Sequence, residues 1–305
     1  MSYTGKGRIM AAYKREYADR VPVYVGVGLH VAERAGFTMD ECLTDPEKAL
    51  KLQTIAQEEF PSDLIRLPGN PVLPETGAAF RRLRGAPPEG HRLENKADLA
   101  KMRLPKPEES PHMMAYLEMC QKATGVFKDV VLDCHAGSPW SAAMGLRGTE
   151  QLIYDTVDDP QFVHDLMAFT TNELVKPYTL AVADAGLWVI VGEPSASCSL
   201  ISPKVFREFV KPYHLDLVRH FKRERQVPIT LHMCGYVDPI MEDLVDLGYD
   251  RIEIDAPSSL RKMVEVSQKK VVIRGNIAAQ LYVEGTKEEM EQAVKECLDI
   301  AAPGS

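Results

Sequence analysis

His232 and Cys234 are the two side chains of this sequence whose types and spacing point most directly to chemistry. They lie two residues apart, after a short apolar segment at 227–231 and directly before Gly235. In an extended chain, side chains two residues apart point to the same side, so an imidazole and a thiol would meet. Nitrogen and sulfur are ligands that zinc prefers, and a catalytic zinc keeps one position open for substrate. The pair predicts half of a zinc site, although a histidine and a cysteine that only terminate a buried strand would have the same spacing.

Carboxylates near the ends of other predicted strands are candidates to complete this site. Glu253 and Asp255 share one face of their segment by the two-residue period. Either would supply an oxygen ligand or orient the histidine, and we favour Asp255 because it lies nearer the end of the strand. Glu193 follows the segment 187–191 and is a candidate to bind substrate or to act as a general acid or base. A carboxylate that caps the next loop is an equally simple interpretation of Glu193.

Three further polar residues are candidates for substrate binding. Asn276 follows the last predicted strand, where its amide would donate to a substrate oxygen, although turn formation explains it as well. His135 ends the third predicted strand, and His30 follows a glycine-containing turn after the first. Cys198 is an alternative sulfur ligand, but its spacing fits a buried thiol equally well.

The elements that would position these residues alternate between short β-rich segments and longer amphipathic stretches, which is typical of βα units around a parallel sheet. The order predicts a single (β/α)8 TIM-type barrel domain over residues 1–305, and active sites of such barrels lie at the carboxyl ends of the strands. Seven strands are predicted, at 21–27, 63–67, 130–135, 187–191, 227–231, 250–254 and 271–274.

Two regions depart from this repeat. Residues 70–111 are rich in proline, glycine and charge, including the arginine-rich run at 81–84, and predict a solvated, irregular insertion over the barrel. After a predicted helix at 286–300 the sequence reaches Ser305 without an eighth strand. Since a closed barrel needs that strand, we expect the native chain to continue into it.

Composition narrows the class of protein. The chain has 305 residues and a formal charge of -8, which argues against a nucleic-acid partner. Its six cysteines show no disulfide-framework spacing, which is typical of a reducing compartment. The sequence contains neither a signal-peptide pattern nor an apolar run that would cross a membrane, so we expect a cytoplasmic protein without a membrane partner.

The motifs of the chain resemble those of the uroporphyrinogen decarboxylase superfamily. The similarity rests on Leu-His-Met-Cys-Gly at 231–235, Ile-Asp at 254–255, Arg-Gly-Asn-Ile at 274–277 and Gly-Glu-Pro-Ser-Ala-Ser at 192–197. It covers most of the chain from Val130 onward and is weaker before it. Within the superfamily, the His-x-Cys pair resembles the cobalamin-dependent methyltransferase branch, which is similar to methylcobalamin:coenzyme M methyltransferase.

This resemblance implies a zinc ion held by His232, Cys234 and a later cysteine, which we expect beyond Ser305. It also implies a cobalamin (corrinoid) cofactor carried by a separate corrinoid protein. The expected function is zinc-dependent methyl transfer between that corrinoid and a small-molecule acceptor or donor, with a thiol acceptor favoured.

Two alternatives to methyl transfer stay open. One is a decarboxylase of the uroporphyrinogen type. The segment 23–30 contains no arginine, which argues against it, because a substrate with many carboxylates needs a basic clamp. The other is a non-catalytic barrel that binds a corrinoid or a related tetrapyrrole.

Overall fold

The structure is a computed structural model that describes residues 3–26, 28–38, 41–42, 45–72, 74–76 and 93–302. Its strands form one parallel sheet in which each strand pairs with the next in chain order. The sheet curls into a half-barrel with helices outside it, which is the architecture of a TIM-type barrel. The strands are β1 Leu64–Arg66, β2 Val131–His135, β3 Trp188–Gly192, β4 Ile229–Met233, β5 Arg251–Ile254 and β6 Val272–Arg274.

Local sequence signals explain where the helices begin. Ser110, Asp159 and Ser202 each accept a hydrogen bond from a backbone N–H of the first turn, and a proline follows each of them. In the part of the chain that the structure describes, no helix is long and apolar enough to cross a membrane. The helices are α1 Gly5–Lys14, α2 Gly28–Arg34, α3 Pro46–Glu59, α4 Pro111–Val126, α5 Pro139–Arg147, α6 Thr149–Asp158, α7 Pro160–Thr170, α8 Lys176–Asp184, α9 Pro203–Val205, α10 Lys211–Glu224, α11 Met241–Asp246, α12 Leu260–Ser267 and α13 Lys287–Ala301.

One predicted strand is not formed. The segment 21–27 has no strand structure in its described part, 21–26. The Val23 N–H donates to the Asp63 carboxylate at 2.7 Å, whereas the Asp63 N–H donates to the Val23 carbonyl at 2.8 Å. The Asp63 carboxylate therefore accepts a hydrogen bond that a backbone carbonyl would accept in a β-sheet. The segment lies beside β1 but does not add a strand to the sheet.

The register of the sheet determines which side chains share its inner face. Arg66 of β1 pairs with Asp133 of β2. His232 of β4 pairs with Glu253 of β5, which in turn pairs with Arg274 of β6. Because successive residues of a strand alternate between faces, paired residues in parallel strands point to the same side. The register thus lines up charged side chains inside the curl of the sheet.

The described parts of the predicted insertion pack on the barrel. Leu93 is fully buried, and its N–H donates to the Leu146 carbonyl at 3.0 Å. Ser110 Oγ donates to the Glu75 carboxylate at 2.6 Å, and both residues are buried. The prediction that this whole stretch is solvated is therefore wrong for these residues. The arginine-rich run at 81–84 lies outside the described residues.

Candidate active site

His232 and Cys234 converge as their spacing predicts. The distance between His232 Nε2 and Cys234 Sγ is 3.0 Å. β4 ends at Met233, two residues later than predicted, so His232 lies inside the strand and Cys234 directly follows it. Gly235 then turns the chain with a φ of +84°, a conformation that favours glycine. The pair is thus placed at the carboxyl end of β4 by a regular strand and a glycine turn.

Glu253 orients the imidazole of His232. Its Oε2 lies 3.0 Å from His232 Nδ1. The sequence favours Asp255 over Glu253 for this contact, whereas the structure places Glu253 there. The reason is register, since His232 pairs with Glu253 in the sheet and Asp255 lies past the end of β5. A hydrogen bond at Nδ1 leaves Nε2 directed at Cys234, as in histidines that bind metals.

Three arginines surround Glu253, and sequence reasoning missed all of them. The carboxylate lies 2.9 Å from Arg66 Nη2, 3.1 Å from Arg251 Nη2 and 2.8 Å from Arg274 Nη1. Asp133 lies 3.2 Å from Arg66 Nε and 2.5 Å from Arg251 Nη2. The available signal was the presence of charged residues at alternate positions of otherwise apolar strands. Such residues point into a barrel and must be paired there.

This environment changes the protonation of the site. Burial alone would lower the pKa of His232, but its hydrogen bonds to Cys234 and Glu253 outweigh burial and raise that pKa to about 9. Burial would raise the pKa of Glu253, whereas the charge of Arg274, the bond to His232 and the charges of Arg66 and Arg251 hold it well below its ordinary value. In the metal-free protein at neutral pH, His232 is therefore protonated and Glu253 is ionised.

His135 lies beside His232 and lines a cavity. The ring centroids of His135 and His232 are 6.3 Å apart. Burial, with the charges of Arg66 and His232, lowers the pKa of His135 to about 3, so its ring is neutral. The cavity has a volume of about 290 Å³ and runs along β1 between Tyr24 and α3. The predicted role of His135 in substrate binding stays a prediction, and its position suits that role.

Glu193 is fully buried and caps a helix. Its carboxylate accepts hydrogen bonds from the backbone N–H groups of Trp140 and Ser141, both at 2.9 Å, and from the Ser141 hydroxyl. It also lies 3.2 Å from His214 Nε2, and His214 Nδ1 lies 2.7 Å from Tyr249 Oη. Glu193 therefore caps α5, whereas the sequence interpretation placed this cap on the loop that follows Glu193. The geometry gives no support to a catalytic role for this carboxylate.

Asp255 and Asn276 hold the loops at the carboxyl ends of β5 and β6. The Asp255 carboxylate accepts the N–H of Gly235 at 3.0 Å and that of Ala256 at 2.8 Å. Asn276 Nδ2 donates to the Ser258 carbonyl at 2.5 Å. Asp255 thus fixes the turn that follows Cys234. The catalytic role of Asp255 and the substrate contact of Asn276 stay predictions.

The remaining candidates lie apart from the pair. His30 is exposed on α2, with its ring centroid 6.5 Å from that of Phe60, and it does not line the cavity. Cys198 is half-buried, and its backbone N–H donates to the Tyr236 carbonyl at 2.8 Å. Within the described ranges, neither side chain contacts His232 or Cys234.

The donor set at the pair fits part of a zinc site. Two ligands of one tetrahedral zinc, with Zn–N about 2.0 Å and Zn–S about 2.3 Å, lie about 3.5 Å apart. The 3.0 Å between His232 Nε2 and Cys234 Sγ is about half an ångström shorter. No group of three or more histidine, cysteine, aspartate or glutamate side chains that could hold a metal occurs in the portion of the chain described. The pair would supply two ligands to a zinc ion, and Glu253 matches the carboxylate that usually holds a ligating histidine.

Comparison with known proteins decides the family. The sequence profile of uroporphyrinogen decarboxylase (URO-D) matches residues 4–305. This chain belongs to the uroporphyrinogen decarboxylase family. A methylcobamide:CoM methyltransferase of Methanosarcina barkeri is 23% identical over 99% of this chain and 92% of its own length. A uroporphyrinogen decarboxylase of Xanthomonas euvesicatoria is 23% identical over 98% of this chain and 88% of its own length.

A solved structure confirms the URO-D fold. A methyltransferase from Methanosarcina mazei superposes with a TM-score of 0.84 at 23% identity, over 98% of this chain and 90% of its own. At this identity the likeness establishes the fold alone. Because a methyltransferase and a decarboxylase match this chain at the same 23% identity, the choice between the two activities depends on the site.

Proposed function

We propose that this protein is a corrinoid-dependent methyltransferase that moves a methyl group between a corrinoid protein and a small acceptor or donor, at a zinc ion held by His232 and Cys234. The observation that carries the proposal is the set of contacts at His232. Its Nε2 lies 3.0 Å from Cys234 Sγ, while Glu253 holds its Nδ1 at 3.0 Å. The methylcobamide:CoM methyltransferase among the relatives supports the same activity.

Each residue of the site has a separate role in the proposed reaction. His232 and Cys234 would bind the metal, and Glu253 keeps the imidazole in the orientation that presents Nε2. A bound zinc ion would keep a thiol acceptor deprotonated at neutral pH, and we favour a thiol on that ground. Asp255 would act by fixing the turn after Cys234. The third protein ligand that the family resemblance implies stays an expectation.

Decarboxylation of a porphyrinogen is the rival activity, and charge argues against it. The segment beside β1, residues 21–26, contains no lysine or arginine. The arginines inside the barrel, Arg66, Arg251 and Arg274, are each within 3.1 Å of Glu253. A substrate with many carboxylates would have to compete with Glu253 and Asp133 for them. A small substrate would not have to displace Glu253 or Asp133 from these arginines.

The test is metal content combined with turnover. We expect His232→Ala and Cys234→Ser to lose bound zinc and to lose methyl transfer from free methylcobalamin to a small thiol, followed by the change of the corrinoid spectrum to the Co(I) form. Cys198→Ser is the matched control, because among the described residues this half-buried thiol makes no hydrogen bond to His232 or Cys234. It should keep both properties. Circular dichroism of all three variants should match the parent.

Two results would contradict the proposal. If Cys234→Ser keeps full zinc occupancy and turnover, the pair is not the metal site. If the parent binds no zinc but binds cobalamin, the non-catalytic carrier becomes the better interpretation.

A further inference from the structure

The cavity along β1 contains polar groups that the proposed metal site does not use. Gln53 of α3 lines it and is only 8% exposed. Gln57, one turn later on α3, also lines it, but its amide is fully engaged, since Nε2 donates to the Ser62 carbonyl at 2.9 Å and Oε1 accepts the Ser62 N–H at 3.1 Å. Among the residues that the structure describes, the Gln53 amide has no hydrogen-bond partner. Because Gln53 lines the cavity, its amide is open to a ligand or to solvent there.

Arg66 supplies a second free donor at the same cavity. Its Nε and Nη2 are engaged by Asp133 and Glu253, at distances between 2.9 and 3.4 Å. Its Nη1 makes no hydrogen bond to any other described residue. The arginines around Glu253 number three against the two carboxylates of Glu253 and Asp133, so the inner end of the cavity has an excess of positive charge.

Much of the remaining cavity wall is apolar. Leu52, Ala56, Phe60 and Leu67 line it, and Leu52 and Leu67 are almost completely buried. A cavity with apolar walls and a few polar groups is the usual form of a small-molecule site. The ligand would therefore carry a short hydrocarbon part and one group that accepts hydrogen bonds.

We propose that this cavity binds a small carboxylate, with its two oxygens on Arg66 Nη1 and the Gln53 amide and its hydrocarbon part on the α3 wall. The choice of carboxylate follows from the number of donors. A planar carboxylate offers two oxygens to two planar donor groups. A sulfonate or phosphate would bring a third oxygen against apolar side chains, where it would lack a partner.

The pocket lies next to the metal-ligand pair through His135, which borders both. This contact suggests that the carboxylate belongs to the methyl donor or acceptor, and that step alone rests on the proposed function. The existence of the pocket does not rest on it. His135 would contact the ligand on the side nearer His232.

The experiment measures direct binding to the metal-free full chain, by titration calorimetry in the presence of a chelator. The probes are propionate, ethanesulfonate and propionamide, which share an ethyl group and differ in the head group. Propionate should bind best, by about fivefold or more over ethanesulfonate, because of the unpaired third oxygen. Gln53→Leu should weaken propionate binding about tenfold, since it removes a hydrogen bond to a charged group.

Matched variants distinguish a specific loss of propionate binding at the cavity from a non-specific effect of the substitution on the protein. Gln121→Leu makes the same change at an exposed position of α4 and should leave propionate binding unchanged. Ala56→Leu fills the apolar wall and should also weaken binding, which provides a second test if Gln53→Leu folds poorly. Circular dichroism identifies variants that do not fold.

Three outcomes would overturn the pocket: no propionate binding by the parent, equal binding by Gln53→Leu, or preference for ethanesulfonate. The proposed function fails separately. A parent that binds propionate but transfers no methyl group contradicts the methyltransferase and leaves the pocket intact, whereas methyl transfer without propionate binding contradicts only the pocket.

Discussion

Replacing Glu253 with glutamine tests the centre of the site, because this carboxylate joins the His232–Cys234 pair to the arginines. It lies 3.0 Å from His232 and within 3.1 Å of Arg66, Arg251 and Arg274. The variant keeps the shape of the side chain and removes its charge. Arg274 then loses its ion-pair partner, and Arg66 and Arg251 share Asp133.

The expected loss of stability is about 3 kcal/mol. Removing one partner of a buried ion pair typically costs about 3 to 5 kcal/mol. The lower end applies here, because the side chains of His232 and Arg274 are 29% and 27% exposed and keep some contact with water. The variant should also bind zinc about 10- to 100-fold more weakly, as is usual when the carboxylate behind a ligating histidine is lost.

Urea unfolding at pH 7, followed by circular dichroism, measures the first effect, and competition with a chelator measures the second. Glu265→Gln is the control, since it removes the same charge from an exposed position of α12 and should change stability by less than about 0.5 kcal/mol. If Glu253→Gln and Glu265→Gln unfold at the same urea concentration, the carboxylate does not balance the arginines and the reasoning fails.

Three further predictions follow from the same contacts. Because the pKa of His232 is raised to about 9, its ion pairs stabilise the metal-free protein fully below about pH 6.5, and that contribution disappears as the pH rises through 9; urea unfolding should show the parent losing more stability than His232→Gln between pH 7 and pH 10. Gly235→Ala should destabilise the protein by about 1 to 3 kcal/mol, because φ is +84° and the new Cβ would lie 2.7 Å from Ser199 Oγ, whereas Gly125→Ala, which meets nothing within 4 Å, should not destabilise it. Glu193→Gln should lower stability by about 2 kcal/mol through the lost α5 cap while zinc binding is unchanged, and a loss of methyl transfer at parental stability would instead restore a catalytic role for Glu193.

The sequence alone was sufficient to predict the parts of the structure that depend on the periodicity of side chains and on helix-capping residues. Six of the seven predicted strands form, and a helix begins after Thr286 as expected. The two-residue period also placed His232 and Cys234 on one side of the chain. The segment 21–27 was mispredicted because its apolar alternation is that of a strand, while the Asp63 carboxylate takes a hydrogen bond that a strand would give to a backbone carbonyl.

Pairing between strands could not be read from the sequence. Whether Glu253 or Asp255 meets His232 depends on the stagger of β4 against β5, which packing sets across the whole sheet. The stagger of β5 against β6 likewise brings Arg274 to Glu253 from a strand about twenty residues away. For this reason the pair was predictable and its surroundings were not.

The charged interior of the barrel favours a functional explanation over a structural one. Well-packed apolar residues in place of a buried ion network usually give equal or greater stability. Here Arg251 and Glu253 are 2% and 3% exposed, and Asp133 is fully buried. Apolar side chains at these three positions would be compatible with the strands. What the network provides is a fixed, ionised carboxylate at His232 Nδ1 and an excess positive charge at the inner end of the cavity on β1. Both features contribute to a site at the carboxyl ends of the strands, which is where the active sites of TIM-type barrels lie.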